Sequence, residues 1–175
     1  APKDEVAIEI GKLKGRLLAR ASRSEEALAT WNALASEHAD DEDLLEDLVE
    51  LHLTEGLIEE AVTLMTGLIE KTGDPYRKIT RQLRLGDIYQ RSGKREKAIA
   101  LYGTSLAASG RDTWLEKEII AQIEHVFRRE DDIAGLNNHL ATLIDAESGR
   151  IALMKRRSLV LAELQEFDEA AAAFA

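Results

Sequence analysis

The sequence predicts an all-α chain of stacked antiparallel helix pairs, an α-solenoid, and three observations predict it. One short phrase recurs: SRSEEALATW at 22–31, GLIEEAVTLM at 56–65, GKREKAIALY at 93–102, a degenerate DDIAGLNNHL at 131–140 and QEFDEAAAAF at 165–174. Its sixth residue places Ala27, Ala61, Ala98, Leu136 and Ala170 in register at spacings of 34, 37, 38 and 34. At that period a helix–turn–helix repeat buries its apolar face only by stacking on the next. Around the phrase, apolar residues return every three or four positions, as one face of a helix requires. Two prolines and three phenylalanines in 175 residues also favour helix, since strands draw on aromatic and β-branched side chains.

Five repeats follow in order, at about 4–41, 42–77, 78–112, 113–149 and 150–175, forming one repeat domain over 1–175. The first opens at Pro2 with Asp4 and Glu5 in its first turn, where proline and acid suit the positive end of a helix. In the second, Leu44, Leu45, Leu48, Val49 and His52 keep a helical interval, Gly56 interrupts, and Ala61, Val62, Met65, Leu68 and Ile69 resume it. The third repeats this with Leu85, Gly86 and Tyr89 before Ser92-Gly93, and Ala98, Ile99, Tyr102 and Leu106 after. Glycine at the break suits a helix end that needs a positive φ. Repeat four keeps Ile123, Phe127, Ile133 and Leu140, but Leu136 fills the small-residue position, so a wider helix pair is expected there. Repeat five carries Leu161, Phe167, Ala170 and Phe174. A bulky residue lies four places after each register position: Trp31, Met65, Tyr102, Leu140 and Phe174. On a helix it shares a face with the small residue, a knob after a hole.

Turns KTGDPYRK at 71–78, ASGRDTW at 108–114 and DAESGR at 145–150 separate the later repeats. The first two coincide with the longer spacings, whose extra residues are expected to lengthen the flanking helices. The chain closes on AAAAFA without a polar capping helix. It is therefore expected to be a piece of a longer array and to self-associate through uncapped ends.

These residues resemble tetratricopeptide (TPR) repeats. Repeat three is closest, with Leu85-Gly86, Tyr89, Gly93, Ala98 and Tyr102 at the family's leucine-glycine, tyrosine, glycine, alanine and aromatic positions. Repeat one has Lys14 for the leucine and Ser22 for the turn glycine, and repeat five has Arg157 and Ser158 for leucine-glycine. Only Pro75 lies near the family's inter-repeat proline. The resemblance implies a right-handed superhelix whose first helices line a concave groove. It also implies a non-catalytic scaffold that holds a protein, a peptide or a partner helix there. The alternative is a structural or regulatory helical domain of a larger enzyme, secretion or envelope complex.

Composition narrows the function. A formal charge of −10 opposes non-specific nucleic-acid binding. With no cysteine there is neither a disulfide frame nor a thiolate nucleophile. No apolar run approaches a membrane span, and a cytoplasmic setting is expected, although a signal cleaved before Ala1 would leave no trace. His38, His52, His125 and His139 have no metal-ligand spacing, and no phosphate loop, dinucleotide fingerprint or nucleophile elbow is present. No enzymatic activity, catalytic residue, metal or cofactor is expected. His52 is expected as a satisfied core imidazole, His139 on the outer part of a second helix, His125 facing the groove, and Trp114 as a helix staple.

In chaperone-binding members of the family, a clamp of Lys, Asn, Asn, Lys and Arg holds a peptide's terminal carboxylate. It falls here on Lys12, Arg16, Asp47, Thr80 and Arg84. Only Lys12 and Arg84 keep the residue type, and Asp47 repels a carboxylate. The same projection gives repeats three to five Arg84, Arg91, Arg128, Arg129, Lys155 and Arg156 against Asp87, Glu118 and Glu163. The candidate groove set is thus Lys12, Arg16, Arg84, Arg91, His125, Arg128, Arg129, Lys155 and Arg156, and an acidic segment is the expected partner.

Overall fold

The structure, a computed structural model, describes residues 2–172, less the side chains of residues 2, 3, 167, 168 and 171. These residues form ten helices and no strand: α1 (Pro2–Arg20), α2 (Ser24–Glu37), α3 (Glu42–Thr54), α4 (Ile58–Lys71), α5 (Pro75–Arg91), α6 (Arg95–Ala108), α7 (Trp114–Arg128), α8 (Ile133–Ala146), α9 (Ile151–Glu163) and α10 (Phe167–Ala172). They fall into two compact units, Ala1–Thr72 and Gly73–Ala175. None of the described helices is long and apolar enough to cross a membrane.

Four helix starts, those of α3, α5, α7 and α8, are set by side chains. Asp41, Asp74, Thr113 and Asp132 each accept a hydrogen bond from a backbone N–H three residues on, satisfying one of the donors a helix start leaves open. Breaks within repeats have one geometry. The first residue of every phrase has a positive φ: Ser22 (61°), Gly56 (75°), Gly93 (74°), Asp131 (56°) and Gln165 (64°). Two of the five use glycine; the other three hold the left-handed conformation despite a Cβ. The longer spacings lie outside the second helices, since α2, α4, α6 and α8 are all 14 residues long. Against the 13 residues of α3, α5 has 17 and α7 has 15, and the loop before α7 takes up more.

In the first unit, Ala27, Trp31, Leu48, Val49, Ala61 and Met65 are fully buried. A Cβ on Gly15 of α1 would fall inside 3.0 Å of three atoms of the Trp31 ring, so glycine there is what admits the tryptophan. In the second unit Gly86 of α5 does the same for Tyr102, whose hydroxyl accepts a hydrogen bond from Gln90 at 2.7 Å. The holes for the aromatic knobs are therefore these first-helix glycines as much as Ala27 and Ala98. Where the corresponding residue is Val49 or Glu124, the knob is Met65 or Leu140. Leu136 is fully buried, and α7 approaches α8 less closely than other helices approach their pair, while α8 packs more closely on α9. Phe174, expected as the fifth knob, lies outside the described residues.

A buried ion pair ties the second unit together. Arg150, the residue before α9, is 3% exposed and donates to Glu116 of α7 at 2.9 Å and to the carbonyls of Leu106 and Ser109 at 2.6 and 3.2 Å. Glu116, 1% exposed, also accepts from the Asp112 N–H at 2.7 Å. One guanidinium thus caps the C-terminal end of α6, where carbonyls lack helical partners, and fixes the start of α7.

Two histidines depart from expectation. His52 is buried edge-on to Trp31, with ring centroids 5.5 Å apart, but neither ring nitrogen has a hydrogen-bond partner, so it is packed and unsatisfied. His139 turns inward, its ring 5.4 Å from that of Phe127, and its Nε2 is buried without a partner. Burial lowers the pKa of both; Glu60 opposes the shift at His52, and Arg95 adds to it at His139.

Candidate functional site

The first helices α5, α7 and α9 of the second unit pack side by side in sequence order. At their N-terminal ends, the Asp74 and Thr113 caps fix where α5 and α7 begin. This sets Tyr76 at the second residue of α5 and Trp114 at the first of α7. The two rings meet edge-on, with centroids 5.8 Å apart and planes at 61°. Tyr76 remains 50% exposed and Trp114 56%, so the pair is held in place and open to solvent together. Trp114 therefore does not serve as the expected staple on its own helix. Its partner is on the preceding first helix.

Toward the C-terminal ends lies a charged cluster. Arg128 donates to Glu124 at 2.7 Å and to Glu163 on α9 at 2.7 and 3.0 Å, and Arg156 of α9 meets Glu124 at 3.1 Å. Two guanidinium groups and two carboxylates bridge α7 and α9 with no net charge. Hydrogen bonds to Glu163 and then Glu124 hold Arg128 above its ordinary pKa, and the bond from Arg128 holds Glu163 below its own. On α5, Arg91 pairs with Asp87 at 2.8 Å, and Arg84 is partly buried. His125, Arg129 and Lys155 are exposed and carry no ion pair among the described residues.

The structure therefore brings Arg128 and Arg156 together but fills both with acid, one of which, Glu124, the charge projection did not count. Its position gave the signal: a carboxylate stands where Gly15 and Gly86 stand in repeats one and three. Tyr76 was also missed, because its partner lies 38 residues away in the chain.

Lys12 and Arg16 belong to the first unit. Lys12 pairs with Asp47 of α3 at 2.8 Å and with Glu9 at 2.6 Å. Burial pulls Lys12 down, but hydrogen bonds to the two carboxylates outweigh it, and its pKa lies above the ordinary lysine value. Asp47 thus occupies the very cation that a bound carboxylate would use. Arg16 is exposed. Among the described residues, no three His, Asp or Glu side chains gather as a metal site.

No family model matches the chain, and no curated protein matches it. Among solved structures it is similar to a putative kinesin light chain with nearly identical TPR-like repeats from Podosopora anserina. That match has 13% identity and a TM-score of 0.50, and covers 96% of this chain and 92% of that one. It is also similar to MamA AMB-1, at 14% identity and a TM-score of 0.50, covering 97% of this chain and 89% of that one. At such identity the likeness establishes the fold alone: all-α, built of TPR-like helix pairs.

Proposed function

We propose that this chain is a protein–protein interaction scaffold and that a partner segment lies across α5, α7 and α9, anchored on Tyr76 and Trp114. The observation that carries this reading is the exposed pair itself. Tyrosine and tryptophan dominate interface energetics because each offers a large rigid surface with a polar edge. Here the two stiffen each other on adjoining helices, so little side-chain entropy remains to be lost on binding. An acidic residue on the partner would meet Arg129 and Lys155, since Arg128 and Arg156 are already neutralised.

The test is affinity capture with the chain, followed by measured binding of the captured segment. Trp114→Ala and Tyr76→Ala are each expected to weaken binding by about 2 kcal/mol, roughly thirtyfold. Arg129→Glu with Lys155→Glu should weaken an acidic partner further and flatten its salt dependence. Unchanged affinity in both aromatic variants, with helicity intact, refutes the reading.

A further inference from the structure

Helix α1 has a second apolar face. Its inward face meets α2, with Gly11 against Leu34 and Gly15 against Trp31. Val6, Ile10, Leu13 and Leu17, at intervals of four, three and four, form another stripe, and each is between 55% and 61% exposed. Such intervals make one straight seam along a helix, the pattern by which two helices pair. The seam borders two shallow grooves. One, of about 550 Å³, runs from Val6 to Arg16 beside Leu51; the other, of about 400 Å³, runs from Ile10 to Arg23. Four large aliphatic side chains in line exceed the scattered apolar exposure of an ordinary surface.

The charges along α1 indicate what covers it. Its N-terminal half carries Asp4, Glu5 and Glu9 against one cation, Lys3, and its C-terminal half Lys12, Lys14, Arg16 and Arg20. A helix acidic at one end and basic at the other complements itself when antiparallel, and repels itself when parallel.

We infer that α1 docks antiparallel on α1 of a second copy of this chain. A two-fold axis beside the middle of the seam sets Ile10 against Leu13 and Val6 against Leu17, each pair occurring twice, as an isologous interface requires. On one edge of the same arrangement, Glu9 of each copy lies opposite Arg16 of the other. Arg16 has no ion pair among the described residues, which leaves it available.

Sedimentation of the 175-residue chain over a concentration series tests this, with an expected rise toward twice the 19.4 kDa chain mass. Leu13→Glu should abolish the rise while circular dichroism stays unchanged, because the side chain is exposed. Glu9→Arg and Arg16→Glu should each weaken the dimer, and the double swap should restore it. The natural chain lacks cysteine, so orientation can be read directly. Oxidising a mixture of Val6→Cys and Leu17→Cys chains should cross-link one to the other. Monomer at every concentration, a dimer indifferent to Leu13→Glu, or cross-linking of Val6→Cys chains only to themselves would overturn the inference.

Discussion

Replacing Arg150 with methionine removes the guanidinium that bonds the carboxylates of Glu116 and Glu147 and the carbonyls of Leu106 and Ser109. The Glu116 carboxylate, 1% exposed, keeps only the Asp112 N–H on its other oxygen, and the Ser109 carbonyl loses its donor, while the Leu106 carbonyl keeps the Ser109 N–H and hydroxyl. Breaking a buried pair by removing one member costs about 3–5 kcal/mol, because the remaining charge stays desolvated. The bare Ser109 carbonyl adds on the order of 1 kcal/mol where water does not replace the donor. The sum is about 4–6 kcal/mol, comparable with the whole stability of many domains. Denaturant unfolding followed by circular dichroism measures it. Arg150→Met with Glu116→Gln should recover about 2 kcal/mol, since the amide keeps the Asp112 bond without the buried charge. A single variant costing less than about 1 kcal/mol, or a double variant no better than the single, refutes the reasoning.

Gly86→Ala should destabilise by about 1–3 kcal/mol through its clash with Tyr102, and adding Tyr102→Leu should relieve part of it, as thermal unfolding of the single and double variants will show. Ser22→Gly and Gln165→Gly should each stabilise by about 0.5 kcal/mol, relief of the left-handed strain outweighing glycine's added freedom in the unfolded chain, whereas Gly93→Ala should cost about 1 kcal/mol; the opposite ordering in denaturant melts would refute the strain argument. His52 has a lowered folded pKa, so the unfolded chain binds the proton more readily: stability is fully present above the unfolded value near 6.5 and is lost as pH falls through it. The melting temperature should therefore fall between about pH 7 and pH 5.5 and fall less in His52→Leu, and an identical slope in the two proteins would exclude His52 as a source.

The register of this fold is legible because it is local. Ala27, Ala61, Ala98 and Leu136 and the knobs Trp31, Met65, Tyr102 and Leu140 are all fully buried, as a 3.6-residue period on one helix face dictates. Ser22 was legible as a turn residue because it begins the same phrase that Gly56 and Gly93 begin. What escaped is set by contacts between repeats. Arg150 reads as an ordinary turn cation until three elements close over it, and nothing near it in the chain announces Glu116. His139 lies one residue before a core leucine, about 100° round the helix. Only the ring of Phe127, on the other helix of the repeat, decides that it faces inward. The pairing of Arg128 and Arg156 with Glu124 and Glu163 escaped the charge count for the same reason: a projection places residues on a face without saying which of them have already met.

That pairing separates the two surfaces by their response to salt. The Arg128–Glu124–Arg156–Glu163 cluster carries no net charge, so a partner anchored on Tyr76 and Trp114 at the other helix ends is attracted from a distance by Arg129 and Lys155 alone. Its affinity should therefore only weaken as salt rises, and by the modest amount those two charges set. Two copies of a chain of charge −10 repel at long range, while the acidic and basic halves of α1 attract only in contact. Near physiological ionic strength the screening length is about 8 Å, so added salt first removes the repulsion between whole chains and only later weakens the contact pairs. Self-association through α1 should therefore strengthen between low and moderate salt. A dimer that only weakens over that range would place the interface at surfaces that attract from a distance, away from the Val6–Leu17 seam.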